Sequence, residues 1–311
     1  MLFISINMFR SYPLSLSYVL LILSYFVYKS WSLKIKFYFI FLTLGKSLVM
    51  EHGIVQNSVI SLRIAPSHKS ELTSQILFGE DFQILETKDE WSYIKSSYDN
   101  YEGWINNKEN FVKIPEIFLK KLANTEPFIV NTPIAQIYET SGNTKLFIPG
   151  GSILPFFDRS TKSFQLYNSE YVLDEDLNDN ETTREFVTKT ALQYLNSPYL
   201  WGGKTPFGID CSGFTQIVYR IAGIKLPRDS SEQIQVGNTI SFINEAQPGD
   251  LAFFDNEEGE ITHVGIILKD QQIIHASGKV RQDIIDHQGI FNKNKDQYTH
   301  SLRLIKNIID S

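Results

Sequence analysis

Apolar residues recur along this chain at two spacings, every second residue or every third to fourth, and the changes of spacing divide it. From residue 52 to 114 short alternating runs dominate, as in Ile60, Leu62 and Ile64 or Phe82 and Ile84. They are broken by turns such as Phe78-Gly79-Glu80 and end in Tyr101-Glu102-Gly103-Trp104-Ile105. Such runs predict short, half-buried β-strands. Residues 125–176 read as a divergent second copy, marked by Pro133-Ile134-Ala135, Pro149-Gly150-Gly151-Ser152-Ile153 and Phe164-Gln165-Leu166-Tyr167. The acidic run from Asp174 to Glu181 reads as a solvated linker. Helical spacing follows, first around Phe186, Thr190 and Leu192–Tyr194. It returns at Phe214, Ile217, Val218 and Ile221, an i, i+3, i+4, i+7 stripe with Gly223 as its stop. Alternation comes back in residues 263–268 and 273–277.

The stripe begins just after Cys211, the only cysteine in 311 residues. Asp210 is placed as the N-cap, so Cys211 falls in the first turn, beside unpaired N–H groups and the positive end of the helix dipole. A free thiol ionises near ~8.5, and such a position with an imidazole partner can bring that to roughly 3.5–7.5. The competing reading is a buried cysteine that acts as a small hydrophobe. Against it, Cys211 precedes the apolar stripe instead of lying on it.

Two histidines follow at long range, His263 and His275, and register decides whether they meet. A two-residue turn at Asp270-Gln271 would put them on opposite faces of the sheet. A three-residue loop, with Leu268 opposite Gln272, puts both rings on one face together with the small Gly265 and Ser277. The other face is then core: Val264, Ile266, Leu268 and Ile274. The odd-numbered loop is expected. His275 has the alternative of being a satisfied polar residue, and His52, His68, His287 and His300 are expected at the surface. One Cys with two His could hold zinc, but the helix-start position favours a nucleophile and the sequence offers no evident fourth ligand. No metal and no cofactor are expected.

Tyr199-Leu200-Trp201-Gly202-Gly203, DCSGF (210–214), LPRDSSEQ (226–233), AQPGDLAFF (246–254), HVGIIL (263–268) and IIHAS (273–277) occur in that order. Together they resemble the NlpC/p60 family of bacterial cell-wall cysteine peptidases over residues 184–308. The resemblance implies an α+β, papain-like catalytic domain with Cys211 as nucleophile, His263 as general base and His275 as the residue that orients His263. It implies a thioester intermediate, with the oxyanion held by the Cys211 N–H and the Tyr199 hydroxyl. The upstream strands resemble bacterial SH3-like barrels. The domains are therefore expected at 51–115 (first barrel), 125–176 (second, divergent barrel) and 182–311 (peptidase). Two such barrels before this domain resemble the γ-D-glutamyl-L-diamino-acid endopeptidases, which cut murein peptides and prefer a free N-terminal L-alanine.

That resemblance implies substrate contacts at Tyr199, Trp201, Asp210, Ser212, Asp229, Ser230, Tyr101 and Glu71. Alternatives stand beside several of them. Glu80 competes with Glu71, Trp201 suits the core equally, and Ser230-x-x-Gln233 is also a capping box. The first barrel would then gate the cleft, admitting freed peptides and not intact wall. Rival readings are a hydrolase of intact peptidoglycan, or a wall-binding or acyl-transfer protein on the same fold.

Charge separates the first fifty residues from the rest. They carry five basic residues and no acid, a charge of +5 against −6 for the whole chain, which leaves −11 for residues 51–311. An acidic balance argues against nucleic acid as a partner. Ser11–Tyr28 is uncharged, near the lower limit for a membrane span. The composition of residues 1–50, rich in Phe, Tyr, Leu, Ile, Ser and Lys, is also that of translated A/T-rich DNA, and Met50 is the expected true start. A start at Met50 implies a cytoplasmic enzyme, and translation from Met1 an inner-membrane anchor.

Overall fold

The computed structural model describes residues 50–142 and 144–310. The expectations for residues 1–49, an anchor or a mis-called start, lie outside the described residues. Among the described residues no helix is long and apolar enough to cross a membrane.

The alternating runs of the first module become antiparallel strands β1 (Glu51–Val55), β2 (Val59–Arg63), β3 (Leu72–Leu77), β4 (Asp81–Lys88), β5 (Trp91–Ser96), β6 (Glu102–Asn106) and β7 (Phe111–Ile114). Their order in the sheet is β3-β2-β6-β5-β4-β1-β7. Inward residues Ile60, Leu62, Ile76, Phe82, Ile94 and Ile105 make one core. Ile64, expected to continue that row, lies beyond the end of β2 and is exposed. At the Phe78-Gly79 turn, Gly79 has φ +79°, and a Cβ there would stand 2.0 Å from the Ile153 carbonyl oxygen. Only glycine lets the two modules approach so closely.

Helix α1 (Glu116–Ala123) leads into β8 (Phe128–Ile129), β9 (Ile134–Glu139), β10 (Thr144–Pro149), β11 (Ile153–Leu154), β12 (Ser163–Leu166) and β13 (Ser169–Leu173). The sheet order is β10-β9-β13-β12, with β11 paired to β8. Its core is shared, because Ile54, Phe78 and Ile114 of the first module pack with Phe164 and Tyr171. The acidic run is tied down rather than free. Gln136 Nε2 donates to Asp174 at 2.8 Å, and Asn180 Nδ2 donates to the Ile129 carbonyl at 2.9 Å.

The third part contains α2 (Arg184–Gln193), the short pair β14 (Lys204–Thr205) and β15 (Gly208–Ile209), α3 (Cys211–Ile221) and α4 (Ser230–Gln233). Strands β16 (Asn238–Ile240), β17 (Leu251–Asp255), β18 (Ile261–Ile267), β19 (Gln272–Ser277), β20 (Lys279–Ile285), β21 (Gly289–Asn292) and β22 (Gln297–Asn307) follow. Six of the described strands, β17 to β22, close into an antiparallel barrel because β22 pairs with both β17 and β21. The outer face of β17–β19, with Phe253, Val264, Ile266, Leu268 and Ile274, seats Phe214, Ile217, Val218 and Ile221 of α3. The inner face, which carries the two histidines with Gly265, is also a second core of Phe254, Ile267, Ile273, Ile285, Ile290 and Ile305. Closure buries both faces, so the apolar run in β18 is nearly continuous.

Helix α3 carries the expected apolar stripe, and its polar side is buried as well. Every residue from Cys211 to Ile221 is buried. Its polar side faces the first module: Gln216 Nε2 donates to Asp99 Oδ2 at 3.0 Å, and Arg220 pairs with Glu80. Buried polar groups need such partners, and these dock the first module against the helix that carries the cysteine.

Candidate functional site

Asp210 caps α3 as expected, accepting from the Gly213 N–H at 2.7 Å. The Cys211 sulfur sits against the backbone N–H groups of Ser212 and Val264, so it reaches the residue that follows His263. The β18–β19 loop is the odd-numbered one. Gly265 pairs with His275, and the Leu268 N–H donates to the Gln272 carbonyl at 2.8 Å, with Asp270 and Gln271 at positive φ. His263 and His275 therefore share a face, and His263 Nε2 lies 2.8 Å from His275 Nδ1. Gly265 is required there, since a Cβ would meet the His275 Cβ at 2.9 Å. Beyond His275 lies Asp283, which the sequence reading missed, with its Oδ2 3.0 Å from His275 Nε2. Arg281 holds the other side of that carboxylate, Nη2 to Oδ1 at 2.8 Å and Nε to Oδ2 at 2.6 Å.

His300 corrects the expectation that it is a surface residue. Its ring stacks on His263 with centroids 4.2 Å apart and planes 26° from parallel. The barrel brings β22 across the site, a neighbour that no local pattern foretells. His68 and His287 are exposed as expected, and His52 is half-buried.

The electrostatics run against the expected acidic thiol. Burial, then the Asp210 carboxylate, push the Cys211 thiol up to about 12 despite the N–H groups around it. Burial, then His275 and His300, hold His263 well below 6.5. Burial likewise lowers His300 to about 4. The dipole that would lower the thiol is outweighed by loss of solvent. Both shifts favour a neutral thiol and a neutral imidazole at rest. Burial pushes Tyr199, beside Cys211, up to about 12, so its hydroxyl remains a donor.

Asp210 and Ser212, expected at the substrate, are taken up by scaffold bonds. Arg228 donates to both Asp210 oxygens at 3.0 and 2.6 Å and to Ser212 Oγ at 2.9 Å, and Gly202 N–H donates to Asp210 at 2.8 Å. The capping box at Ser230 does not form. Asp229 holds the N-cap position without a side-chain bond, and Gln233 turns inward to donate to the Ser212 and Pro227 carbonyls, both at 2.9 Å. Asp229 is thus left half-buried with a raised pKa, caused by burial first, beside Tyr101 of the first module. Trp201 is 60% exposed, which rules out the core role, and its indole N–H donates to Glu71 Oε1 at 2.6 Å. Glu80, the competitor of Glu71, is buried against Arg220 away from these groups. One edge of the first module therefore brings Glu71 and Tyr101 up to the loops around Cys211.

Comparison with known proteins bears on this arrangement. Residues 196–301 match the model of the NlpC/P60 family, and residues 62–109 match the bacterial dipeptidyl-peptidase Sh3 domain. Dipeptidyl-peptidase 6 of Lysinibacillus sphaericus is 30% identical over 76% of this chain and 93% of its own. The chain belongs to the NlpC/P60 family. It is a hydrolase, a peptidase of the cysteine type. Gamma-D-glutamyl-L-lysine dipeptidyl-peptidase of Bacillus subtilis is 28% identical over 66% of this chain and 72% of its own. The crystal structure of an NlpC/P60 family protein from Bacillus cereus superposes with a TM-score of 0.70 at 21% identity, covering 83% of this chain and 99% of that one, a likeness of fold.

In this NlpC/P60 peptidase the neutral resting pair has a measurable consequence. Titration of the free enzyme by ultraviolet thiolate absorbance should show no thiolate at neutral pH. The acid limb of kcat/KM, set by protonation of His263, should lie below 6.5, with activity present above it and lost as pH falls through it. A thiolate signal that titrates below neutral pH in wild type and is absent in Cys211→Ala would refute the neutral pair.

Proposed function

We propose that this peptidase hydrolyses the γ-D-glutamyl bond to the diamino acid in murein peptides that carry a free N-terminal L-alanine. The observation that supports it most is the Trp201–Glu71 hydrogen bond of 2.6 Å, which ties a carboxylate of the first module to the loop whose Gly202 N–H bonds Asp210, the residue before Cys211. An ammonium group leaving water needs an anionic partner, and Glu71 with the half-buried Asp229 offers two. Two relatives, from Bacillus subtilis and Bacillus cereus, are gamma-D-glutamyl-L-lysine dipeptidyl-peptidases, which agrees with this reading.

The reaction follows from the site. As the Cys211 sulfur attacks the amide carbon, its proton passes to His263, so charge appears only as the bond forms. The tetrahedral oxyanion is held by the Cys211 N–H and the Tyr199 hydroxyl, each such donor being worth about 2.7–4 kcal/mol of barrier. Imidazolium at His263 protonates the leaving amine of the diamino acid. The same ring then takes a proton from water, which hydrolyses the thioester. His275 orients His263, while Tyr199 and Trp201 wall the cleft.

In this reading the chain divides as 51–115, 125–176 and 182–311, with 125–176 a divergent SH3-like copy and the catalytic part papain-like. The first module acts as a gate that stops a peptide still joined to muramic acid. Recycling of freed peptides in the cytoplasm fits such a gate, and a single reduced thiol suits that compartment. The test compares L-Ala–γ-D-Glu–diamino-acid tripeptide with its N-acetyl form by chromatography of the released diamino acid. Free-amine peptide should be preferred by about 100-fold in kcat/KM, and Glu71→Gln should lower its value by about 10- to 100-fold, since a hydrogen bond to a charged group is worth ~1.5–3 kcal/mol. Equal cleavage of both peptides would end this proposal.

A further inference from the structure

The chain of side chains behind His263 does not stop at His275. Two hydrogen-bond partners hold the two oxygens of Asp283, His275 Nε2 at 3.0 Å on Oδ2 and Arg281 Nη2 at 2.8 Å on Oδ1, and Arg281 Nε adds an ion-pair contact of 2.6 Å to Oδ2. A carboxylate can only accept. His275 must therefore carry a proton on Nε2, and in the neutral ring this leaves its Nδ1 as a lone pair. That lone pair lies 2.8 Å from His263 Nε2. His263 must then carry its own proton on Nε2, and its basic nitrogen is Nδ1. One acid thus dictates the tautomer of two rings in series, and Arg281 fixes the acid.

We propose that Asp283, clamped by Arg281, is a positioning residue for this peptidase, fixing His263 in the tautomer whose Nδ1 receives the Cys211 proton. The proposal rests on the reading of Cys211, His263 and His275 given above. In the attack step the thiol proton moves to His263 Nδ1. The Nε2–H of the resulting imidazolium stays bonded to His275 Nδ1, and no proton moves to Asp283. Several features fit this role. Asp283 is 8% exposed. Burial alone would raise its pKa, but the bonds from His275 and Arg281 outweigh it and keep the carboxyl below its usual range. Arg281 also answers the Asp283 charge, so the effect on His263 is one of orientation more than of field. Lastly, β20 sets the spacing: His275 pairs with Arg281 and Ile273 with Asp283, so Arg281 and Asp283 flank the His275 ring on its own face.

The experiment reads tautomers and turnover together. Long-range 1H–15N spectra of His263 and His275 are recorded in Cys211→Ala protein with and without Asp283→Ala, and kcat and KM are measured for Asp283→Ala with Cys211 present. Expected are Nε2–H tautomers alone on both rings with Asp283, and mixed tautomers without it. kcat should fall by about 10- to 100-fold, the usual cost of losing an outer-shell carboxylate behind a functional histidine, while KM stays unchanged because Asp283 touches no substrate. If Asp283→Ala does not fold, Asp283→Asn keeps the shape. Its single acceptor oxygen cannot serve both His275 Nε2 and Arg281 Nη2, which now bond to different oxygens, so the same loss is expected. Unaltered Nε2–H tautomers with wild-type kcat in the variant that folds would overturn the proposal. Turnover surviving in Cys211→Ala would instead overturn the catalytic reading and leave the tautomer result standing.

Discussion

Replacing Cys211 with alanine should lower kcat on the free tripeptide by about 10⁴-fold or more while leaving the fold in place. The first half follows from the chemistry. Without sulfur no thioester forms, and groups that act as a unit lose nearly all their effect when one is removed. The Tyr199 hydroxyl, the backbone N–H groups and the substrate contacts remain, so the peptide should still bind. The second half follows from packing. Cys211 is 7% exposed, lies at the start of α3 and packs in the same core as Phe214, Ile217 and Val218. Loss of one sulfur atom there should cost about 1 kcal/mol, which thermal unfolding would register as a small shift. Release of the diamino acid, followed by mass, is the readout. Unchanged turnover would mean that the chain acts by binding or by another nucleophile, and the wall-binding reading would replace the peptidase reaction proposed for this site.

Much of this site was legible because its signals are local. A cap, a stripe and a glycine stop define α3, and the parity of a hairpin loop decides whether two histidines meet. Those arguments need only residues near one another in sequence, and the structure agrees with them at Asp210, Gly223 and Leu268. What stayed hidden depends on closure and docking. His300 reaches His263 only because β22 pairs with β17 and β21. The raised thiol follows from solvent exclusion, which a helix-dipole argument does not include. Asp283 had a weak signal: Gly278, at φ +71°, makes a tight hairpin in which Ser277 faces Lys279. Counting back from that turn places Asp283 on the His275 face. The polar residues Gln216 and Arg220 of α3 face Asp99 and Glu80, partners that lie more than a hundred residues earlier in the chain.

That docking should dominate stability. Glu80→Ala is expected to lower the unfolding free energy by about 3–5 kcal/mol, the range for removing one partner of a buried ion pair. Glu80 and Arg220 are each 1% exposed, and Lys204 Nζ stands 4.0 Å from the same carboxylate. Among the described residues Arg220 Nε and Nη2 have no hydrogen-bond partner, and its guanidinium lies 4.1 Å from the centre of the Tyr98 ring. Loss of Glu80 therefore strands a guanidinium and an ammonium, with Asp99 as the remaining nearby acid. Replacing both partners, Glu80→Met with Arg220→Met, should cost far less than Glu80→Ala, because the guanidinium is removed with its acid and only Lys204, which keeps Asp99, loses a partner. The two measurements separate the cost of an orphaned charge from the net value of the pair. Glu80→Ala should also raise KM for the free-amine peptide, since Gln75 and Glu71 of the same module bond to Lys204 N–H and Trp201. A loss under about 1 kcal/mol in urea unfolding, with KM unchanged, would show that the first module is held to α3 by its apolar and backbone contacts and not by this charge cluster.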